Sequence, residues 1–583
     1  MWLQVTNPLN NVPLSALVAG IPIIFLFLLL LSRKISGYIA TLLTLFIALI
    51  VAATIYTMPL DLALMAALYG ILNGLFPIGW IVLNAVFLYN ISVKSGGFAI
   101  VRDSIESVTP DRRLQALLIA FCFGAFLEGS AGFGAPVAIT AGILVGLGFA
   151  PLYAAGICLI ANTAPVAFGG VGIAVITAGH LTDIDPNVIS KMIAHQLPLV
   201  AFLMPLWLVL IISGWKGARA IWPAILVTGA SYALTMYLTA SFLGPTLPDV
   251  LSAIVSIVCL IGFLKVWQPK EIWRFPSERA NTLMHPVRNK HSLGDLIRAW
   301  TPFLLLIILI GNWGNGGIQQ ILSKVTLHIP FGILDQAIIT SSKKLDINYS
   351  FAWLGAAGTA ILISAILTAI FLRLSWYTFA QIAGHTLKEL LKPLITIGSI
   401  VGFAYVANYS GMSTAIGNAL TITGHFFPFI SPLLGWLGVF ITGSDTSSNA
   451  LFSNIQSQTA NTLGINPVLT VASNSSGGVA AKMISAQSIA VATAATGLTG
   501  KEGKLFRFTI LHSLGLIFII CTISYIQAYY AQWMIPSEVV KKSTTTVSGL
   551  GYGEMGLVAL SLIAILVLSI FAFLHNKKKS LKQ

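Results

Sequence analysis

The chain has 583 residues, of which 56% are hydrophobic and only 9% charged, where an ordinary soluble domain carries roughly a quarter charged residues. That balance excludes a soluble enzyme or binding module and describes an integral membrane protein. The formal net charge of +14 does not point to nucleic acid, because the basic residues fall in the breaks between apolar runs, where membrane orientation accounts for them.

Crossing a bilayer takes about 20 helical residues, and apolar runs of that order recur from end to end, leaving no room for a sizeable soluble domain. In chain order they lie near 13 to 32, 37 to 57, 62 to 90, 114 to 128, 150 to 178, 196 to 213, 220 to 243, 248 to 266, 300 to 312, 351 to 372, 394 to 410, 432 to 442, 467 to 497, 508 to 531 and 555 to 574. The first twelve residues hold no Lys or Arg and lead into a full-length apolar run, so no cleavable signal is expected. Basic clusters sit at Arg33 and Lys34, Lys94 through Arg113, Lys216 and Arg219, Lys265 through Arg298, Arg373 through Lys392, Lys501 through Arg507, and Lys577 through Lys579. All fall on one side of the membrane, whereas the connections around 58 to 61, 179 to 195, 244 to 247 and 411 to 431 hold only Lys191; two other outside loops are less clean, with Lys324, Lys343 and Lys344 in one and Lys541 and Lys542 in the other. The positive-inside rule then puts the N-terminus outside and the C-terminus in the cytoplasm. The charged stretch at 267 to 299 reads as a cytoplasmic linker between two transmembrane halves, 1 to 266 and 300 to 583. The mixed stretch at 313 to 350 reads as an outside loop with short interfacial helices.

Within this apolar background, "FLEGSAGFGAP" at 126 to 136 sets a glutamate beside three glycines and a proline. It has an echo. "FGAFLEGSAGFGAPVAI" at 123 to 139 resembles "LGVFITGSDTSSNALFS" at 437 to 453, followed in each case by "LGFAP" or "LGINP" and then by "ANTAP" at 161 to 165 or "SNSSG" at 473 to 477. The first copy starts from the basic side and the second from the basic-poor side, so the two run in opposite directions, as the repeats of many secondary transporters do. Both are too rich in Gly, Ser and Asn for lipid-facing helix, and freed backbone at membrane depth is tolerated only where it is buried in protein or lines a cavity. They read as re-entrant hairpins at about 123 to 150 and 437 to 466. The expected fold is therefore an all-α polytopic membrane protein, an inverted-repeat transporter with two re-entrant hairpins, broken helices and about 13 or more spanning segments.

Broken helices would aim N–H groups and hydroxyls at an anion, since a helix N-terminus carries roughly half a positive charge. Candidate substrate contacts are Gly129, Ser130, Ser444, Thr446 and Ser447 at the hairpins, and Asn162, Thr163, Asn474, Ser475 and Ser476 in the later blocks; helix-packing hydrogen bonds are the alternative reading of each. Glu128, Asp445 and Lys482 are the plainest ionisable residues at depth. A charged Asp at a membrane helix centre costs about 2.5 to 3.5 kcal/mol even on the lower scales, and burial favours the neutral carboxyl. Glu128 and Asp445 are thus candidate proton carriers, with capping of their own hairpins as the alternative. Lys482 could meet a substrate carboxylate, pair with Asp445, or snorkel toward an interface.

Other motifs are sparse. Cys122, Cys158, Cys259 and Cys521 lie inside apolar runs without metal-ligand spacing, "GGVGIA" at 169 to 174 lacks dinucleotide-fold context, and there is no phosphate loop or HExxH. No cofactor or metal is expected, and an ion gradient is the expected energy source.

"EGSAGFGAPVAI" at 128 to 139, "ANTAPVAFG" at 161 to 169, "VANYSGM" at 406 to 412, "GVFITGSDTSSNALF" at 438 to 452 and "NPVLTVASNSSGGVAAKMISAQSIAVA" at 466 to 492 resemble the motifs of the lactate permease family, in order and across most of the chain. The resemblance implies uptake of L-lactate, often with D-lactate and glycolate, by proton symport across the bacterial cytoplasmic membrane. It also implies kinship with a wider ion-transporter superfamily that uses paired hairpins and an elevator-like motion. Ser130 and Ala135 stand where alanine and threonine are commoner, small-for-small changes that bear on substrate preference. The expected partners are a small monocarboxylate, a proton and the lipid bilayer. Two further hypotheses remain at this point: sodium coupling at the carbonyl-rich breaks, and a passive anion channel or facilitator built from the same hairpins. An intramembrane enzyme is disfavoured, for no nucleophile, metal or paired-aspartate motif is recognisable.

Overall fold

A computed structural model describes residues 1–31, 35–106, 108–130, 132, 135–275, 291–314, 316–340, 344–345 and 347–537. The expected last span at 555 to 574, residues 276 to 290 of the linker, and Arg33, Lys34, Lys541, Lys542 and Lys577 to Lys579 lie outside the described residues. Among those described, 11 helices are long and apolar enough to cross a membrane, or up to 13 if two bent pairs are each one span.

The helices begin where local chemistry says they should. Asn11, Ser292, Ser375, Ser444, Asn466 and Ser485 each accept a hydrogen bond from an N–H in the first turn that follows, relieving one of the donors that a helix start leaves free. Pro151, Pro248 and Pro467 occupy first helical positions, where a missing N–H does no harm. The span Leu60–Lys94 is interrupted at Phe76 (φ −140°, ψ 122°), just ahead of Pro77, because a proline disfavours the helical region for the residue before it.

Lipid tails are as apolar as leucine, so close van der Waals contact must hold membrane helices together. The crossing of Leu60–Lys94 with Trp376–Ser410 shows the means. A methyl group on Gly70 would lie 2.6 Å from the Cα of Gly402, and one on Gly74 3.0 Å from the Cα of Gly398. Two glycine pairs at i, i+4 spacing thus let the backbones touch.

Buried apolar side chains form two cores. One gathers residues from Val101 to Phe303 and from Val439 to Ala528; the other gathers Ala19 to Ile91 and Leu306 to Ala415, with Val171, Ile173, Leu181, Leu247 and the stretch from Ala450 to Ile455 added. Each half of the chain therefore feeds both cores, and the segments that change allegiance, around Val171 and Ala450, are those nearest the site.

The stretch at 313 to 350 departs from expectation. One helix, Gly316–Ser323, does form there, but it is followed by an antiparallel pair, Leu327–Pro330 with Asn348–Phe351, in register Leu327 to Phe351. Trp2–Leu3 pairs in parallel with Ile338–Ile339. β-Branched and aromatic residues in short runs between polar positions favour strands over interfacial helix.

Candidate functional site

Two helical hairpins and two interrupted helices converge on one small cavity. In the second hairpin, Phe427–Thr442 stops at Gly443, whose φ of +74° is the left-handed cap that glycine adopts without strain. Ser444 follows extended (φ −136°), its hydroxyl accepts from the Ser447 N–H at 3.3 Å, and Asp445–Leu463 starts. In the first hairpin, Gly124–Ser130 ends the span Arg112–Ser130, Gly132 turns the chain at φ +60°, and Ala135–Gly146 returns.

The first interrupted helix runs from Pro151 to Ala161, breaks at "NTAP", and resumes as Val166–Thr182 at a bend of 64°. At its restart Gly170, Val171 and Gly172 take φ of +55°, +62° and +73°. Left-handed valine is a strained state. A side chain on Gly172 would strike the Pro245 carbonyl, and a methyl on Gly169 would lie 2.8 Å from Glu128 Oε1, so the glycines permit contacts nothing larger would allow. The second interrupted helix, Pro467–Lys482, breaks at Met483 and Ile484 before Ser485 caps Ala486–Ala495.

The cavity has a volume of about 70 Å³. Glu128 and Gly132 line it from the first hairpin, Gly169 and Gly170 from the first break, Ser444, Asp445 and Thr446 from the second hairpin, and Lys482 with Gln487 from the second break. Lys482 is 8% exposed, and its ammonium donates to the Gly443 carbonyl at 2.8 Å. It lies within Coulombic range of both Glu128 and Asp445. Those carboxyls are 4% and 5% exposed; Glu128 Oε2 and both oxygens of Asp445 have no partner at hydrogen-bond geometry among the described residues, and the Ser475 hydroxyl faces Asp445 just outside it. Two acids and one base thus share a buried space.

The remaining sequence-predicted residues surround the cavity without lining it. Ser130 donates to the Phe126 carbonyl at 2.7 Å, and Thr163 to that of Leu159 at 3.5 Å. Asn162 faces Glu128 without reaching hydrogen-bond geometry. Gly129 packs on the start of Pro248–Val266. Ser447 is buried next to its cap. Asn474 donates to Asn449 Oδ1 and accepts from Gln456 Nε2, both at 2.9 Å. Ser475 accepts from Asn449 at 2.7 Å, and Ser476 donates to Gln196 Oε1 at 2.6 Å. Asn449 also donates to the Ala174 carbonyl at 3.2 Å, tying the second hairpin to the first interrupted helix. Sequence reasoning missed Asn449, Gln456, Gln196, Gln487 and the left-handed turn. Asn449 and Gln456 stand seven apart on one face of a helix with buried polar residues along it, a spacing that would have flagged them.

Comparison with known proteins settles the family: the L-lactate permease profile matches residues 15–531. The chain belongs to the L-lactate permease family. The L-lactate permease of Bacillus subtilis (strain 168) is 51% identical over 562 residues, covering 92% of this chain and 100% of that protein. That of Escherichia coli (strain K12) is 48% identical over 549 residues, with coverage of 92% and 100%. The glycolate permease GlcA of the same organism is 48% identical over 557 residues, again at 92% and 100%. A member of this permease family is a multi-pass membrane transporter and not an enzyme.

Proposed function

We propose that the protein takes up L-lactate, and with it D-lactate, glycolate and similar small 2-hydroxy acids, by proton symport across the bacterial cytoplasmic membrane. The observation that carries the reading is the cavity shared by Glu128, Asp445 and Lys482, where two hairpin turns meet. The names of the L-lactate and glycolate permeases among its relatives support the substrate class.

Charge counting explains the coupling. With both acids ionised and the lysine protonated, the three side chains carry one net negative charge. Adding a carboxylate anion alone, or a proton alone, changes the buried charge by one, and an uncompensated charge inside a membrane protein is costly. Adding both leaves it unchanged. The substrate carboxylate takes the Lys482 ammonium, which gives up part of its hold on the Gly443 carbonyl, and Glu128 or Asp445 takes the proton. The first turn of Asp445–Leu463 offers N–H groups, and Ser444 and Thr446 offer hydroxyls, to the 2-hydroxy acid. Gly129, Ser130, Asn162, Thr163, Ser447, Asn474, Ser475 and Ser476 complete the proposed substrate region, most of them by holding its walls.

In this reading the hairpins belong to two inverted repeats, each with a scaffold portion in one core and a mobile portion in the other, the N-terminus is outside and the C-terminus cytoplasmic. The test is uptake of labelled lactate and glycolate into proteoliposomes under an inward proton gradient, with and without sodium. Accumulation on the proton gradient alone, abolished by an uncoupler, is expected. Accumulation that needs sodium, or equilibration without accumulation under either gradient, would replace the reading with a sodium symporter or a passive facilitator.

A further inference from the structure

The junction between two spans, Leu197–Ala220 and Trp222–Phe242, holds an apolar groove of about 240 Å³ that shares no residue with the transport cavity. Phe202, Leu203 and Leu206 form one wall, and Ile225 and Leu226 the other. Gly214 breaks the first helix at φ +63°, ψ −170°, a conformation essentially closed to other residues. The short stretch after it then contributes Trp215, Ala218 and Arg219 to one end of the groove. The opposite end closes where the two helices meet, since a methyl on Gly229 would lie 2.5 Å from the Phe202 carbonyl oxygen.

That end is pinned from behind. The buried Arg113 donates to the Gly217 carbonyl at 3.1 Å and to the Glu271 carbonyl at 3.2 Å, while Asp111 holds its guanidinium at 2.7 Å. The charge of Arg113 is thus spent on Asp111. Lys216 and Arg219, three residues apart and so on one face of the turn, are exposed, and their side chains make no hydrogen bond or ion pair among the described residues. Trp215 and Trp222 are exposed beside them, and among the described residues no Asp or Glu lines the groove. Exposed tryptophans mark the depth of the membrane surface, and basic sites between spans take anionic headgroups.

We propose that this groove binds one anionic phospholipid, with an acyl chain between the Leu203–Leu206 and Ile225–Leu226 walls and the phosphate on Arg219 and Lys216. The apolar walls have nothing to offer a free phosphate, and the two cations have nothing to offer a bare hydrocarbon; an amphiphile satisfies both. A zwitterionic lipid brings its own cation toward Lys216 and Arg219 and gains less from them. A second copy of the chain fits worse still, because a two-fold contact at this face would set the same two cations against themselves. The site is independent of the transported substrate and of the coupling ion.

The experiment is quenching of tryptophan fluorescence by phospholipids brominated on the acyl chain, phosphatidylglycerol against phosphatidylcholine, with the full chain in vesicles. The signal that Trp215→Phe/Trp222→Phe removes is that of the groove. In the parent we expect phosphatidylglycerol to be preferred there about fivefold or more, since each Lys or Arg near an anionic lipid contributes about that factor. Lys216→Gln/Arg219→Gln, which alters two exposed side chains, should bring the ratio close to one, and high salt should lower it in the parent. Equal quenching by the two lipids in the parent, or an unchanged preference in the double variant, would overturn the proposal. So would tryptophans that neither lipid quenches, the result for a groove covered by a second copy.

Discussion

Lys482→Gln probes the charge balance of the cavity most sharply. The substitution removes the single buried cation that both Glu128 and Asp445 face, together with its 2.8 Å bond to the Gly443 carbonyl at the second hairpin turn. A hydrogen bond to a charged partner contributes about 1.5 to 3 kcal/mol, and because about 1.4 kcal/mol is a factor of ten, loss of that contact to a substrate carboxylate raises the half-saturation concentration about 10- to 150-fold. The same change leaves two buried acids without a counter-charge. Losing that bond at the second hairpin turn, and the positive charge beside the two acids, should lower the melting temperature as well. Initial rates of lactate uptake in proteoliposomes, across a range of lactate concentrations, give the first number, and a thermal melt in detergent gives the second. A variant that melts early but keeps the parent's half-saturation within about twofold, against the expected loss of 1.5 kcal/mol or more, would refute the substrate contact and leave Lys482 a purely structural clasp.

Gly169→Ala would place a methyl 2.8 Å from Glu128 Oε1, and overpacking of this kind costs about 1 to 3 kcal/mol; uptake should slow severalfold in folded protein, while Gly142→Ala, with nothing within 4 Å, should match the parent. Gly435→Ala drives a methyl into the Asn474 carbonyl, and the expected outcome is loss of the monodisperse peak in size-exclusion chromatography. Asn474→Ala breaks the bonds to Asn449 and Gln456, each worth about 1 kcal/mol; the melting temperature should fall with little change in half-saturation for lactate, and a large rise there would make Asn474 a direct substrate contact.

The plainest parts of the site were legible because a membrane chain spends so few ionisable residues at depth. Glu128, Asp445 and Lys482 stood out by position alone, and they line one cavity. The second hairpin turn was legible from the Gly- and Ser-rich run at 443 to 448, which is too polar for lipid-facing helix. The left-handed turn at Gly170 to Gly172 hid within small residues whose φ no local pattern announces. Asn474 and Ser476 were recognised as buried polar groups, but whether such a group faces a substrate or a neighbouring helix depends on tertiary partners, and here Asn449, Gln456 and Gln196 take them up. The strands at 327 to 330 and 348 to 351 form through pairing between segments far apart in sequence, which a local reading of an outside loop does not reach.

The most direct test of proton symport is the pH of a weakly buffered medium around proteoliposomes as lactate is added outside, for the parent and for Glu128→Gln. The account predicts that the medium turns alkaline in step with lactate entering the parent vesicles; a variant that exchanges lactate with no such change makes Glu128 the carrier, and one that still turns the medium alkaline leaves Asp445. Lactate entry into parent vesicles at constant external pH would contradict it.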